Sequence, residues 1–171
     1  MILSDRDIKS LLKKGEMCIE PLQPGQIQGA SIDLTLGKDF WFFKKRLIGK
    51  TIDISKTPFT EVLEHRVAKK VTLKPQEMCL GITKEKITLP PYVMGILEGR
   101  SRYARLGLSV HITSSLIQPG SSNRQVLEIV NSSPSNLTLS EGLRISQAIF
   151  LKLSSPTSLP YAKHGKIAVR Q

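Results

Sequence analysis

The chain has 171 residues, 40% of them hydrophobic and 23% charged, with 25 Lys and Arg against 14 Asp and Glu and a formal net charge of +11. Length and balance fit one compact domain, residues 1–171, and exclude a disordered chain or one built of membrane spans. The positive field draws anions of any kind. Aromatic residues are only 5% and the Lys and Arg residues are dispersed, so neither nucleic acid nor membrane is the expected partner.

Residues 1–8 show no basic stretch, long apolar run or small-residue cleavage site, so a cytoplasmic location is expected. Ile8, Leu11 and Leu12 recur at helical spacing, which predicts one short helix over 5–14 with Ser4 as N-cap and Gly15 as stop. Short apolar or alternating runs follow at 31–36, 39–43, 70–73, 78–83, 93–97, 126–130, 136–139 and 145–153. Turn residues punctuate them, among them Gly37, Pro119-Gly120 and Glu141-Gly142. Many short strands with frequent turns predict an all-β sandwich or barrel. Segments 59–67 and 101–106 read as short helices or irregular turns, and Cys18 and Cys79 read as buried reduced thiols. Residues 154–171 are polar and carry Pro156, Pro160 and Gly165, which predicts a mobile arm able to close over a ligand.

Two segments carry chemistry. Arg100, Ser101, Arg102 and Arg105 gather behind Gly99, and arginine forks with a serine hydroxyl match phosphate oxygens. A solvated turn whose arginines pair with Glu98 accounts for the same spacing. Glu128 is the lone carboxylate in the apolar run 126–130. Strand alternation puts it opposite Leu127 and Ile129, facing either a cavity or solvent. Partial burial would raise its pKa and suit it to general acid/base work.

The stretches MILSDRDI (1–8), QGASIDLTLG (28–37), LEGRS (97–101), ARLGL (104–108), VHIT (110–113) and QPG (118–120) occur in the order and spacing of the dCTP deaminase family, which the chain resembles over most of its length. The resemblance implies a distorted β-barrel of the trimeric dUTPase type and a homotrimer with active sites between subunits. It also implies hydrolysis of dCTP to dUTP and ammonia, with Mg2+ bound through the triphosphate, no zinc, and dTTP as an inhibitor. Position by position, Glu128 matches the catalytic glutamate and Arg100, Ser101 and Arg105 the phosphate segment, to which Arg102 adds a further nucleotide-binding charge. Val126 and Leu127 match the base pocket, the Ser114 carbonyl a water-holding position, and Tyr161 and Lys166 the closing tail. His111 and Asp33 read as structural.

The chain departs from that family at Arg102, where serine is usual, and at Ser114, where alanine is usual. Gln118 replaces an aspartate, and Ser121-Ser122-Asn123 replaces a segment with an aromatic residue and a glycine. Glutamine is no base at neutral pH, which disfavours the alternative of a dUTP diphosphatase or a bifunctional dCTP deaminase and dUTPase, while its amide still hydrogen-bonds a deoxyribose hydroxyl. A nucleotide-binding trimer without turnover and a basic nucleic-acid-binding barrel are the remaining alternatives.

Overall fold

The computed structural model of the chain describes residues 1–163, with the backbone alone at Lys163. Helix α1, Asp5–Lys13, starts at Ser4, whose hydroxyl accepts the Asp7 N–H while the Asp7 carboxylate takes the Ser4 N–H, a reciprocal capping box. It stops before Gly15, which takes the left-handed conformation. Ile8 is its one buried side chain, with Leu11 and Leu12 packed beside it.

Strands β1 (Cys18–Glu20) and β2 (Ile32–Phe43) come next, then helix α2 (Phe59–Val62), β3 (Leu63–Val67), β4 (Lys70–Leu73), β5 (Met78–Thr88) and β6 (Val93–Gly99). Helix α3 (Ser101–Ala104) leads into β7 (Leu108–Val110), β8 (Leu116–Ile117), β9 (Ser122–Asn131), β10 (Leu137–Ser140) and β11 (Arg144–Lys152). Antiparallel pairing orders β7-β9-β5-β2-β11-β6-β8, with β1 on β5 and β3 on β2, while β10 and β4 form a separate ribbon. The sheet curls into a half-barrel. Its core holds the fully buried Leu34, Phe40, Leu127, Ile129, Ile145 and Phe150. The N-terminus is tied in where the Leu3 N–H donates to the Phe150 carbonyl.

The all-β expectation holds, with three differences. The runs at 31–36 and 39–43 form one strand, since Gly37 lies inside β2 instead of turning. A Cβ there would come within 2.9 Å of the Ile82 carbonyl oxygen, so the missing side chain lets β2 pass close to β5 where their register shifts. Segment 63–67 is a strand, β3, whose outward face hides any alternation. Its pairing with β2 brings His65 Nε2 within 2.8 Å of Asp39 Oδ1 and sets the Arg66 guanidinium 4.7 Å above the Phe42 ring. The short strands β1, β7 and β8 carry too few residues for a period to show.

Cys79 is buried and Cys18 half-buried, both unpaired thiols, and burial pushes the Cys79 thiol up to about 12. Among the described residues no helix is long and apolar enough to cross a membrane. Phe150→Ala removes a fully buried ring from the centre of the sheet. It is expected to destabilise the fold by about 3–5 kcal/mol, measured by urea unfolding.

Candidate active site

The alternation of β9 decides which way Glu128 faces. Leu127 and Ile129 are fully buried in the core, and half-buried Glu128 points to the other side of the sheet. There it lines a pocket of about 510 Å³, within the range of small-ligand sites. Ser114, Gln118, Val126 and Tyr161 line the same pocket, with Leu80 and Leu97 as apolar wall.

Residues 111–114 wrap the carboxylate. His111 takes φ 69°, a left-handed conformation uncommon for a side-chain-bearing residue, and its N–H donates to the Glu128 carbonyl at 2.7 Å. The chain then turns its next two N–H groups inward. Glu128 Oε2 accepts from the Ile112 N–H at 3.0 Å and the Thr113 N–H at 2.7 Å, and Oε1 accepts from the Thr113 hydroxyl at 2.6 Å. Burial raises the carboxyl pKa, but these hydrogen bonds and the nearby His111 outweigh it, and the net pKa lies below the ordinary glutamate value. This overturns the expectation of a raised pKa: the carboxylate sits in a nest of donors and is held ionised.

His111 Nε2 lies 2.7 Å from the Ser114 carbonyl, which only accepts, so Nε2 carries the proton. Its Nδ1 is buried with no hydrogen-bond partner among the described residues. The structural role expected for His111 fits its place at this turn. The Ser114 carbonyl, expected to hold water, takes the His111 contact with one of its two lone pairs.

Other expected site residues divide. Leu127 is turned into the core, so its side chain does not line the pocket, whereas its neighbour Val126 does. Tyr161 reaches the pocket because its N–H donates to the Pro119 carbonyl at 3.0 Å, which ties the C-terminal segment to the turn after Gln118. Lys166 lies outside the described residues. Arg100, Ser101, Arg102 and Arg105 do not join Glu128, and among the described residues that line its pocket there is no Lys or Arg.

Ser101, Arg102 and Arg105 are exposed on and just after α3. Arg100 pairs with buried Asp33 at 3.1 Å, and not with Glu98. Burial raises the Asp33 carboxyl, with Arg100 and Arg144 pulling it back in part. Sequence reasoning missed Thr113, which binds Glu128 through two groups. Its place in the VHIT stretch was visible, but the turn that folds it back onto β9 was not. Among the described residues no three His, Cys, Asp or Glu side chains gather to hold a metal.

The fold is the one shared by dCTP deaminases and dUTPases. The chain aligns with the crystal structure of 2'-deoxycytidine 5'-triphosphate deaminase from Agrobacterium tumefaciens at TM-score 0.68 and 22% identity, covering 87% of this chain and 48% of that one, about half its length. It aligns with a dUTPase from phage phi11 of S. aureus at TM-score 0.54 and 14% identity, over 82% of this chain and 93% of that one. The family model described as dCTP deaminase-like matches residues 2–153. A protein of Dictyoglomus thermophilum named "dCTP deaminase, dUMP-forming" is 40% identical over 168 residues, covering 95% of this chain and 86% of the relative. A "dCTP deaminase" of Natronomonas pharaonis is 38% identical over 166 residues, covering 94% and 85%. The chain belongs to the dCTP deaminase-like family.

The donor nest gives a titration test. A carboxylate with a depressed folded pKa stabilises the fold above its unfolded pKa, and that contribution is lost as pH falls through the folded value. The Glu128 carboxyl is expected to titrate below the ordinary glutamate value, and Thr113→Val, which removes the hydroxyl and keeps the backbone donors, moves it upward. Carboxyl-detected NMR titration of both proteins reads the shift.

Proposed function

We propose that the protein hydrolyses dCTP to dUTP and ammonia. The reading rests on Glu128, an ionised carboxylate set by β9 into a nucleotide-sized pocket of a chain in this family. A base that is already deprotonated suits the first step, removal of a proton from water attacking C4 of cytosine. The same carboxylate then gives that proton to N3 and serves again as ammonia leaves. The free lone pair of the Ser114 carbonyl orients the water, and Val126 and Leu80 pack against the base. The exposed amide of Gln118 hydrogen-bonds the deoxyribose.

A triphosphate needs cations, and those on α3 belong with the pocket of another copy. We therefore propose a homotrimer in which Ser101, Arg102 and Arg105 of one subunit, set in place by Arg100, face the Glu128 pocket of the next. Leu106, Ile112 and Leu116 are 59%, 54% and 46% exposed beside these two segments, and such a contact covers them. Mg2+ enters on the triphosphate oxygens, and no zinc takes part. The single-domain chain works in the cytoplasm, its tail closes over the nucleotide from Tyr161 to Lys166, and dTTP inhibits at the same pocket.

A second reading, deamination followed by release of pyrophosphate, is favoured by relatives named dUMP-forming, two of them 40% and 37% identical to this chain. Gln118 opposes it, since an amide cannot take the proton of a water attacking phosphorus.

Incubation with dCTP and Mg2+, with chromatographic separation of products, tests both. The expected products are dUTP and ammonia, and dUMP with pyrophosphate establishes the second reading instead. Glu128→Gln is expected to lower kcat by about 10³-fold while nucleotide binding survives, and retained turnover rules out Glu128 as the proton carrier.

A further inference from the structure

We propose that Asp33 is a positioning residue that holds Arg100 as a strut under the phosphate-binding segment, so that triphosphate is gripped by Ser101, Arg102 and Arg105 and not chiefly by Arg100. The proposal rests on the deaminase reading and assigns a role to two residues of the same site.

The argument starts from what does not hold α3. The helix has one turn and no buried side chain, and Arg100 at its N-cap makes no side-chain cap bond. Of its side chains only half-buried Tyr103 packs against the core, so the ends carry much of the work of fixing the segment. At the far end Gly107 takes φ 80°, its carbonyl accepts the Ser132 N–H at 2.8 Å, and a Cβ there would come within 2.7 Å of Ser133 Cβ. That end is pinned by backbone.

At the near end the pin is Arg100. Its Nη2 lies 3.1 Å from Asp33 Oδ2, and the Asp33 side chain is 3% exposed. Its Nη1 donates to the Arg144 carbonyl at 2.8 Å. Arg144 itself donates through Nη1 to the Gly25 carbonyl and through Nη2 to the Pro24 carbonyl, both at 2.8 Å. A chain of donors thus runs from the 24–25 loop through β11 to the start of α3, and it ends on one buried carboxylate of β2.

The Arg100 guanidinium spends one donor of each terminal nitrogen on Asp33 and the Arg144 carbonyl, which fixes the plane of its fork toward β2 and β11 and disfavours turning that fork onto a phosphate. Its backbone carries the consequence. The Arg100 carbonyl accepts the N–H groups of Tyr103 at 2.9 Å and Ala104 at 3.1 Å, and the Ser101 carbonyl accepts that of Arg105 at 3.1 Å. Fixing Arg100 therefore fixes the turn that carries Ser101, Arg102 and Arg105.

Asp33→Asn in the full chain discriminates, because it keeps the shape and releases the Arg100 charge. A strut predicts a KM for dCTP raised about 10-fold with kcat within about 2-fold, and binding of inorganic tripolyphosphate weakened by the same factor in calorimetry. Were Arg100 a direct phosphate ligand, the freed charge would tighten tripolyphosphate binding, and tighter or unchanged binding overturns the proposal. An equal fall in kcat and in kcat/KM together with a lowered melting temperature also overturns it, as a role in overall folding only.

If Asp33→Asn does not fold, Arg100→Lys reads the same point. A lysine point charge cannot span Asp33 and the Arg144 carbonyl, so tripolyphosphate binding is expected to weaken about 10-fold, and retained affinity refutes the strut. Wild-type protein that releases no ammonia from dCTP removes the deaminase reading alone. The tripolyphosphate measurement still decides the strut.

Discussion

The pairing of β9 with β5 is the constraint from which the site follows. Leu80 faces Glu128 and Cys79 faces Ile129 across this ladder, with Leu127 and Ile129 locked into the core. Side chains alternate with period two, so a slip of one residue would carry the carboxylate into the core and expel two large apolar side chains. Core packing therefore enforces the orientation of Glu128. Further up the strand the register shifts between Ile82 and Lys86, and the inner positions change from apolar to amide, Asn123 and Gln125. The Gln125 N–H donates to the buried Thr83 hydroxyl at 2.9 Å, so the polar stretch is satisfied inside the fold. One strand builds hydrophobic core at one end and polar pocket wall at the other.

Charge is separated from the pocket within the chain. The net charge is +11, yet the described lining of the Glu128 pocket holds no cation. An arginine in direct contact with the carboxylate would leave Glu128 ion-paired and take that cation from the substrate phosphates. The donors it has are neutral: two backbone N–H groups and a hydroxyl. They lower its pKa without occupying every lone pair, so the carboxylate stands ionised and ready to act as a base, while the proton it takes is held only weakly. In the proposed reaction, the same weak hold on the proton suits its delivery to N3, and the Thr113 hydroxyl is the one side-chain donor that could turn away from Oε1 while the proton is carried.

The elements legible in the sequence were those whose pattern is set by their own burial. The Ser4 cap, the Gly15 stop and the alternation that turns Glu128 away from Leu127 could be read because each is a local rule met in full. What escaped notice depends on a distant partner. Gly37 reads as a turn until β5 lies across it, and β3 has no visible period because only its pairing with β2 makes it a strand. Glu128 was identified but its pKa was reversed, since burial was visible in the apolar run while the donors arrive from a loop more than ten residues away. The arginine cluster was seen as a unit, yet Arg100, just after the end of β6, belongs with Asp33 on β2, four strands earlier, which reads there as buried structure. Resemblance supplied roles that spacing alone left open, and the side chain of Leu127 shows that an assigned role must still satisfy the pleat.

The turn after Gln118 joins two parts of the site that the sequence keeps far apart. Gly120 takes φ 74°, and a Cβ there would approach Pro160 Cβ to 2.6 Å. Only glycine permits both the left-handed backbone and this contact. The Pro119 and Gly120 carbonyls accept the N–H groups of Tyr161 and Ala162 at 3.0 and 3.3 Å, so the C-terminal segment rests on the same turn that presents the Gln118 amide. Tyr161 and Gln118 are thereby coupled through three residues of backbone. In the proposed reaction, the grip on the sugar and closure over the nucleotide share one hinge, which explains why a short polar segment with little core of its own still has a defined place at the pocket mouth.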